Sequence, residues 1–138
     1  IYSYIHGGGT IGVMVEVQCE TDFVARTDDF MAVCKDIAMH IAASNPMAVN
    51  AEDIDQKFID AEREIYRNKA LNDGKPEKIV DKIVDGQIKK YLKDNCLLEQ
   101  EYVKDPDKMV KDYLNEAISR LGENIQVARF VRYAMGEK

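Results

Sequence analysis

The chain keeps its strand-forming segments at its two ends and reads as helical in between. Ile1 to Ile5 and Ile11 to Cys19 have the composition and alternation of strands, and Ile125 to Tyr133 has it again. A two-stranded hairpin is marginal in water, so the last segment has to return to the first two. The order of strand, strand, four helical segments and strand is that of an α+β protein. The expected architecture is a three-stranded antiparallel sheet, with the first helix on one face and a helical middle segment. Residues 1–45 and 123–138 then form the sheet-plus-helix part, and residues 46–122 are helical.

The local signals support that frame. Ile11, Val13, Val15 and Val17 alternate with Met14, Glu16 and Gln18, so one face of this strand is apolar. His6-Gly7-Gly8-Gly9-Thr10 reads as the hairpin loop, because such turns need positive φ. Thr27 can cap a first helix whose opening aspartates, Asp28 and Asp29, suit its positive end. Its stripe is Phe30, Val33, Cys34, Ile37, Ala38 and Ile41, and Asn45-Pro46 ends it. A second helix is expected from Asp53 to Leu71 with Ile54, Phe58, Ala61 and Ile65 inward. Asn72-Asp73-Gly74 is a turn, and Pro76 opens a third helix with Ile79, Val80, Ile83, Val84, Ile88, Tyr91 and Leu92 as its stripe. Gly86 inside it is a candidate kink or boundary. Asp105-Pro106 is the expected start of a fourth helix, with Val110, Tyr113, Leu114, Ala117, Ile118 and Leu121 inward and Gly122 closing it. In the last strand Ile125, Val127, Arg129, Val131 and Tyr133 are expected on one face.

Composition narrows the function classes. At 138 residues, 46% hydrophobic and 32% charged, the chain has the balance of a single globular domain able to bury a core. The net charge of −6 argues against nucleic acid as a partner, since backbone phosphates demand a basic face. No apolar run approaches the roughly 20 residues that span a bilayer, so no membrane partner is expected. Cys19, Cys34 and Cys96 are widely spaced and odd in number, which points away from zinc and redox pairs and towards reduced thiols in a cytoplasmic setting.

Catalytic motifs match in letters and fail in context. Gly7-x-Gly9-x-x-Gly12 spells a dinucleotide fingerprint, yet Val13-Met14-Val15 continues as strand where phosphate binding needs a helix N-terminus. His6-Gly7-Gly8-Gly9 resembles a lipase oxyanion segment, but Ser3, Ser44 and Ser119 lie in no nucleophile turn. His6 reads as a solvated tip residue. His40, late in the first helix, reads as an imidazolium at the negative dipole end. Neither has the companions of a metal site. Glu16, Glu20 and Asp22 lack a nucleophile and read as solvated or capping carboxylates. Leu97-Leu98-Glu99-Gln100 reads as a helix end with apolar anchors. Neither a cofactor nor a catalytic residue is expected.

The stretch Glu16-Val17-Gln18-Cys19-Glu20-Thr21-Asp22-Phe23-Val24-Ala25-Arg26 joins a strand to a helix and puts an aromatic residue after a polar pair. For Phe23 a core side chain and an anchor for a partner's pocket are both open readings. This stretch resembles the second signature of bacterial elongation factor Ts, the nucleotide-exchange factor for elongation factor Tu. Gln18 stands where that family has Asn. The likeness continues in Tyr4-Ile5-His6, Ile11-Gly12-Val13 and Lys75-Pro76-Glu77-Lys78-Ile79-Val80. It runs on through Cys96-Leu97-Leu98-Glu99-Gln100, Lys104-Asp105-Pro106 and Leu121-Gly122-Glu123-Asn124-Ile125. Glu101-Tyr102 departs from the family's Pro-Phe.

The resemblance implies a core (dimerisation) domain without the family's small N-terminal helical domain. It implies exchange without covalent chemistry: Asp22 and Phe23 enter the nucleotide domain of elongation factor Tu near its magnesium and phosphate-holding loop, and GDP leaves. Thr21, Val24 and Arg26 match the same motif and are expected to shape the turn. A homodimer is also implied, and the open edge of a three-stranded sheet makes one reasonable. The alternatives are a scaffold domain of the same fold without exchange activity, and a glycine-loop nucleotide-binding enzyme.

Overall fold

A computed structural model describes residues 1–137. The sheet is built around β2 (Ile11–Gln18), which pairs antiparallel with β1 (Tyr2–His6) on one side and with β5 (Gln126–Ala134) on the other. Gly7, Gly8 and Gly9 all take positive φ in the β1–β2 turn, which is what the glycine run is for. The molecule is α+β, as its pattern of alternation requires. Val13 and Val15 on β2 are buried beneath α2 (Asp28–Ser44), whose Phe30, Val33, Ile37, Ala38 and Ile41 face them. Burying an isoleucine such as Ile37 or Ile41 is worth about 1.5–3 kcal/mol, so this layer dominates the fold's stability.

Thr27 starts α2 as its spacing predicts. Its hydroxyl accepts from the Phe30 N–H at 3.1 Å and donates to the Val24 carbonyl at 2.7 Å, tying α2 to the short α1 (Asp22–Ala25) before it. Asn45 ends α2 in the left-handed region at φ 45°. The main core then recruits Leu97, Tyr102 and Val110, and Leu114 and Ala117 from α5 (Val110–Leu121).

The closing strand does not keep one face throughout. Glu16 pairs with Arg129 while Val17 pairs with Val127, so Ala128 is an extra residue, a β-bulge. Val127 points inward before the bulge, and half-buried Phe130 and Arg132 take over after it. Arg129, Val131 and Tyr133, expected on the same face as Val127, therefore lie on the outer face with Met14. Arg132 uses its inward position to donate from Nε and Nη2 to the Ala42 carbonyl, at 3.2 and 3.1 Å, near the end of α2.

α3 (Gln56–Asn72) and α4 (Glu77–Asn95) form an antiparallel hairpin with its own small core of Ala70, Val80, Val84 and Ile88, bordered by Ile59, Tyr66 and Leu92. α4 runs through Gly86 without a boundary. The inward row of α3 is not the expected one. Ile54, in the loop before α3, is buried, but Phe58 and Ala61 are exposed and Ile65 is 58% exposed. The face actually used buries Ala70, half-buries Ile59 and Tyr66, and lets Arg63 and Arg67 reach Asp85 and Asp81 on α4. Turning Phe58 and Ile65 inward would forfeit both. Ile65→Glu is accordingly expected to change stability in urea denaturation by no more than about 0.5 kcal/mol. Val84→Glu, which buries a charge, is expected to unfold the hairpin.

The fourth helix starts later than Asp105-Pro106 suggested. Asp105–Met109 forms β4, a ribbon with β3 (Glu101–Tyr102), and α5 opens only at Val110. Val110 is the first residue there that the core buries. The Asp105 carboxylate accepts from the Asp107 N–H at 3.3 Å, while Asp112 accepts from the Met109 N–H at 3.0 Å and so serves the true helix start.

His40 also departs from expectation. It is completely buried rather than presented to solvent at a helix end. The Val103 N–H can only donate, so Nδ1 of His40, 3.2 Å away, is the bare nitrogen. Nε2–H then donates to Gln100 Oε1 at 2.9 Å, and the Gln100 amide donates to the Asp94 carbonyl at 2.9 Å. The network ties α2 to the end of α4 and to the β3–β4 turn, and it needs a neutral imidazole. Burial holds the His40 pKa below its ordinary 6.5, with the bond to Gln100 opposing part of the shift. The unfolded chain therefore takes up this proton before the folded one does. The contribution of His40 to stability is complete above pH 6.5 and is lost as pH falls below that towards the depressed folded value. Urea denaturation between neutral and mildly acid pH is expected to show a slope of at most about 1.4 kcal/mol per pH unit from this group. The slope should be absent in His40→Gln.

Candidate functional site

The strand-to-helix junction after β2 holds the residues singled out in the sequence. Thr21 caps α1: its hydroxyl accepts from the Val24 N–H at 3.2 Å. Val24 is buried and anchors the turn in the core. Asp22 and Arg26 are exposed, and the Arg26 backbone N–H closes the turn on the Asp22 carbonyl at 3.2 Å. Phe23 is 82% exposed. The choice left open for this ring is thus decided against the core. An aromatic side chain this exposed on a capped, anchored turn has no job in holding its own chain together.

Spacing alone missed the residues that hold the turn from behind. Half-buried Glu123, in the α5–β5 connection, accepts from the backbone N–H groups of Glu20 and Thr21 and from the Thr21 hydroxyl. Glu20 in return accepts from the Asn124 N–H at 2.9 Å. These partners are about a hundred residues apart in sequence. The available signal was Gly122, whose φ of 77° turns the chain so that Glu123 faces back.

The other polar candidates have structural partners. Glu16 lies on the outer sheet face with Arg129 at 3.0 Å and Gln18 at 2.7 Å; these bonds, Arg129 foremost, lower its carboxyl pKa. His6 accepts or donates at Nδ1 with the Tyr4 hydroxyl at 2.6 Å. The glycine loop is followed by strand, with no helix N-terminus to receive a phosphate. All three cysteines are free thiols, and burial pushes the Cys34 thiol up to about 11, far from reactive. Among the described residues no group of His, Cys, Asp and Glu could hold a metal ion. Among them, too, no helix is long and apolar enough to cross a membrane.

Comparison with known proteins shows the family. Residues 1–137 match the family model described as "Elongation factor TS". The chain belongs to the elongation factor Ts family. It is 59% identical to "Elongation factor Ts" of Heliobacterium modesticaldum over 99% of its own length and 64% of that relative. To the elongation factor Ts of Thermoanaerobacter sp. it is 58% identical over 98% of the chain and 66% of the relative. To that of Geobacter metallireducens it is 59% identical over 98% and 62%. The chain therefore spans just under two thirds of the length of these elongation factor Ts relatives.

Proposed function

We propose that this elongation factor Ts chain promotes GDP release from elongation factor Tu by protein contact. The observation that carries the reading is Phe23, a large apolar side chain held out into solvent by a turn with no slack. Phe23 enters the partner's nucleotide domain beside its magnesium and phosphate-holding loop, and Asp22 fixes the orientation of entry. No bond is made or broken, so the chain is not an enzyme in the covalent sense. Coupling between the two ligands of elongation factor Tu is reciprocal: a factor that binds more weakly when GDP is present must weaken GDP by the same ratio. Membership of the family supports the choice of partner.

The test is the dissociation rate of fluorescent GDP from elongation factor Tu with and without the chain. Acceleration is expected. Binding without acceleration would instead identify a scaffold domain, and direct GDP binding by the isolated chain would favour a glycine-loop enzyme.

A homodimer is a second proposal. Ile5, Met14, Val131 and Tyr133 leave the outer sheet face apolar and uncovered, and β1 is an open edge. Sedimentation at micromolar concentration is expected to give twice the chain mass; a monomer mass would rule this out.

A further inference from the structure

We propose that Glu123 is a positioning residue, its carboxylate locking the Phe23 turn in the one conformation that presents the ring. The proposal rests on the docking of Phe23 to elongation factor Tu. α1 has only four residues, far too few to be stable as an isolated helix. Phe23 itself buries almost nothing, so it cannot hold the turn in place. Left alone, an exposed aromatic ring on a short turn would sample many orientations, most of them folded down on the surface.

Glu123 removes that freedom by using both of its oxygens. Oε1 accepts from the Glu20 N–H at 3.1 Å and the Thr21 N–H at 2.9 Å, and Oε2 accepts from the Thr21 hydroxyl at 2.7 Å. Thr21 Oγ1 passes the constraint on, accepting from the Val24 N–H at 3.2 Å, one residue beyond Phe23. Glu20 adds a second strap by accepting from the Asn124 N–H at 2.9 Å. The brace is itself anchored, because Ile125 directly after it is buried in the main core. The Glu123 bonds run between exposed or half-buried groups, and the core side chain of the turn, Val24, keeps its own burial without them. Their effect is therefore on the order of the turn more than on global stability, and that distinction can be measured.

Glu123→Ala, Glu123→Gln and the unmutated chain are compared by amide hydrogen exchange and by titration against fluorescent GDP bound to elongation factor Tu. In Glu123→Ala the Glu20, Thr21 and Val24 amides are expected to exchange about tenfold faster or more. The same variant is expected to need about tenfold more protein for half-maximal GDP release, because the Glu20 and Thr21 N–H groups lose their acceptor. Amides of α2 should be unchanged. Glu123→Gln keeps an acceptor for both N–H groups and should restore most of both effects. Unchanged amide exchange at Glu20 and Thr21 in Glu123→Ala overturns the proposal, as does faster exchange with normal GDP release. If the unmutated chain leaves GDP release untouched, the docking reading fails, and the brace is then judged by the amides alone. Should Glu123→Ala not fold, Glu123→Asp, which withdraws the carboxylate by one methylene, carries the same comparison.

Discussion

Replacing Phe23 by alanine is expected to leave the fold intact and remove most of the exchange activity. The ring is almost wholly exposed, so it contributes little to the stability of its own chain. A change within about 0.5 kcal/mol in urea denaturation is the expected result. In a partner's pocket the same ring is worth about 1.5–3 kcal/mol, so the acceleration of GDP release should fall roughly 10- to 100-fold. Thermal denaturation and GDP dissociation measured on the same preparation check both halves. A strongly destabilised variant would return Phe23 to the core, and a stable variant with full activity would remove it from the docking surface.

Ile37→Ala is expected to do the reverse. Ile37 sits at the middle of α2 with no exposed area and packs into the main core. Truncating it leaves a cavity that surrounding helix and sheet can only partly fill, at about 2–5 kcal/mol. For a domain of this size that is a large share of total stability, typically about 5–15 kcal/mol. Urea denaturation should show the loss. GDP release per folded molecule, measured where the variant is still native, should be unchanged, because α2 leaves Phe23 and its cap in place. Together the two substitutions separate the part of the chain that folds it from the part that acts.

Much of this division can be read from residue order. The valines of β2 alternate as a half-buried strand must, Thr27 caps where a cap is needed, and the glycine run can only be a turn. The misreadings share a cause: local pattern is silent where a distant partner decides. Phe58, Ala61 and Ile65 have as good a helical spacing as Ile59, Tyr66 and Ala70, and the tie is broken on the facing helix, where Val80, Val84 and Ile88 meet the second row and Asp81 and Asp85 meet Arg67 and Arg63. The bulge at Ala128 shows no mark in its own strand, since it is defined by the step between Glu16 and Val17 on another. Asp105-Pro106 is a good helix opening in isolation, but the first buried side chain comes at Val110. At the candidate site Asp22 and Phe23 stand out by chemistry. Glu123 does not, because a carboxylate after a glycine is ordinary until the fold brings it to Thr21. The helical position of His40 is legible in the sequence but its buried environment is not, since nothing local announces Gln100.

The brace on the Phe23 turn also has a schedule. During synthesis β1, β2 and the turn emerge before Glu123 and the strand that closes the sheet. Contacts this distant in sequence form late, after the entropy of closing a long loop has been overcome. A nascent chain can therefore have its Phe23 in solution long before Glu123 reaches the turn. If the brace aims Phe23 as proposed, a chain that lacks the closing strand is a weaker competitor for the same partner.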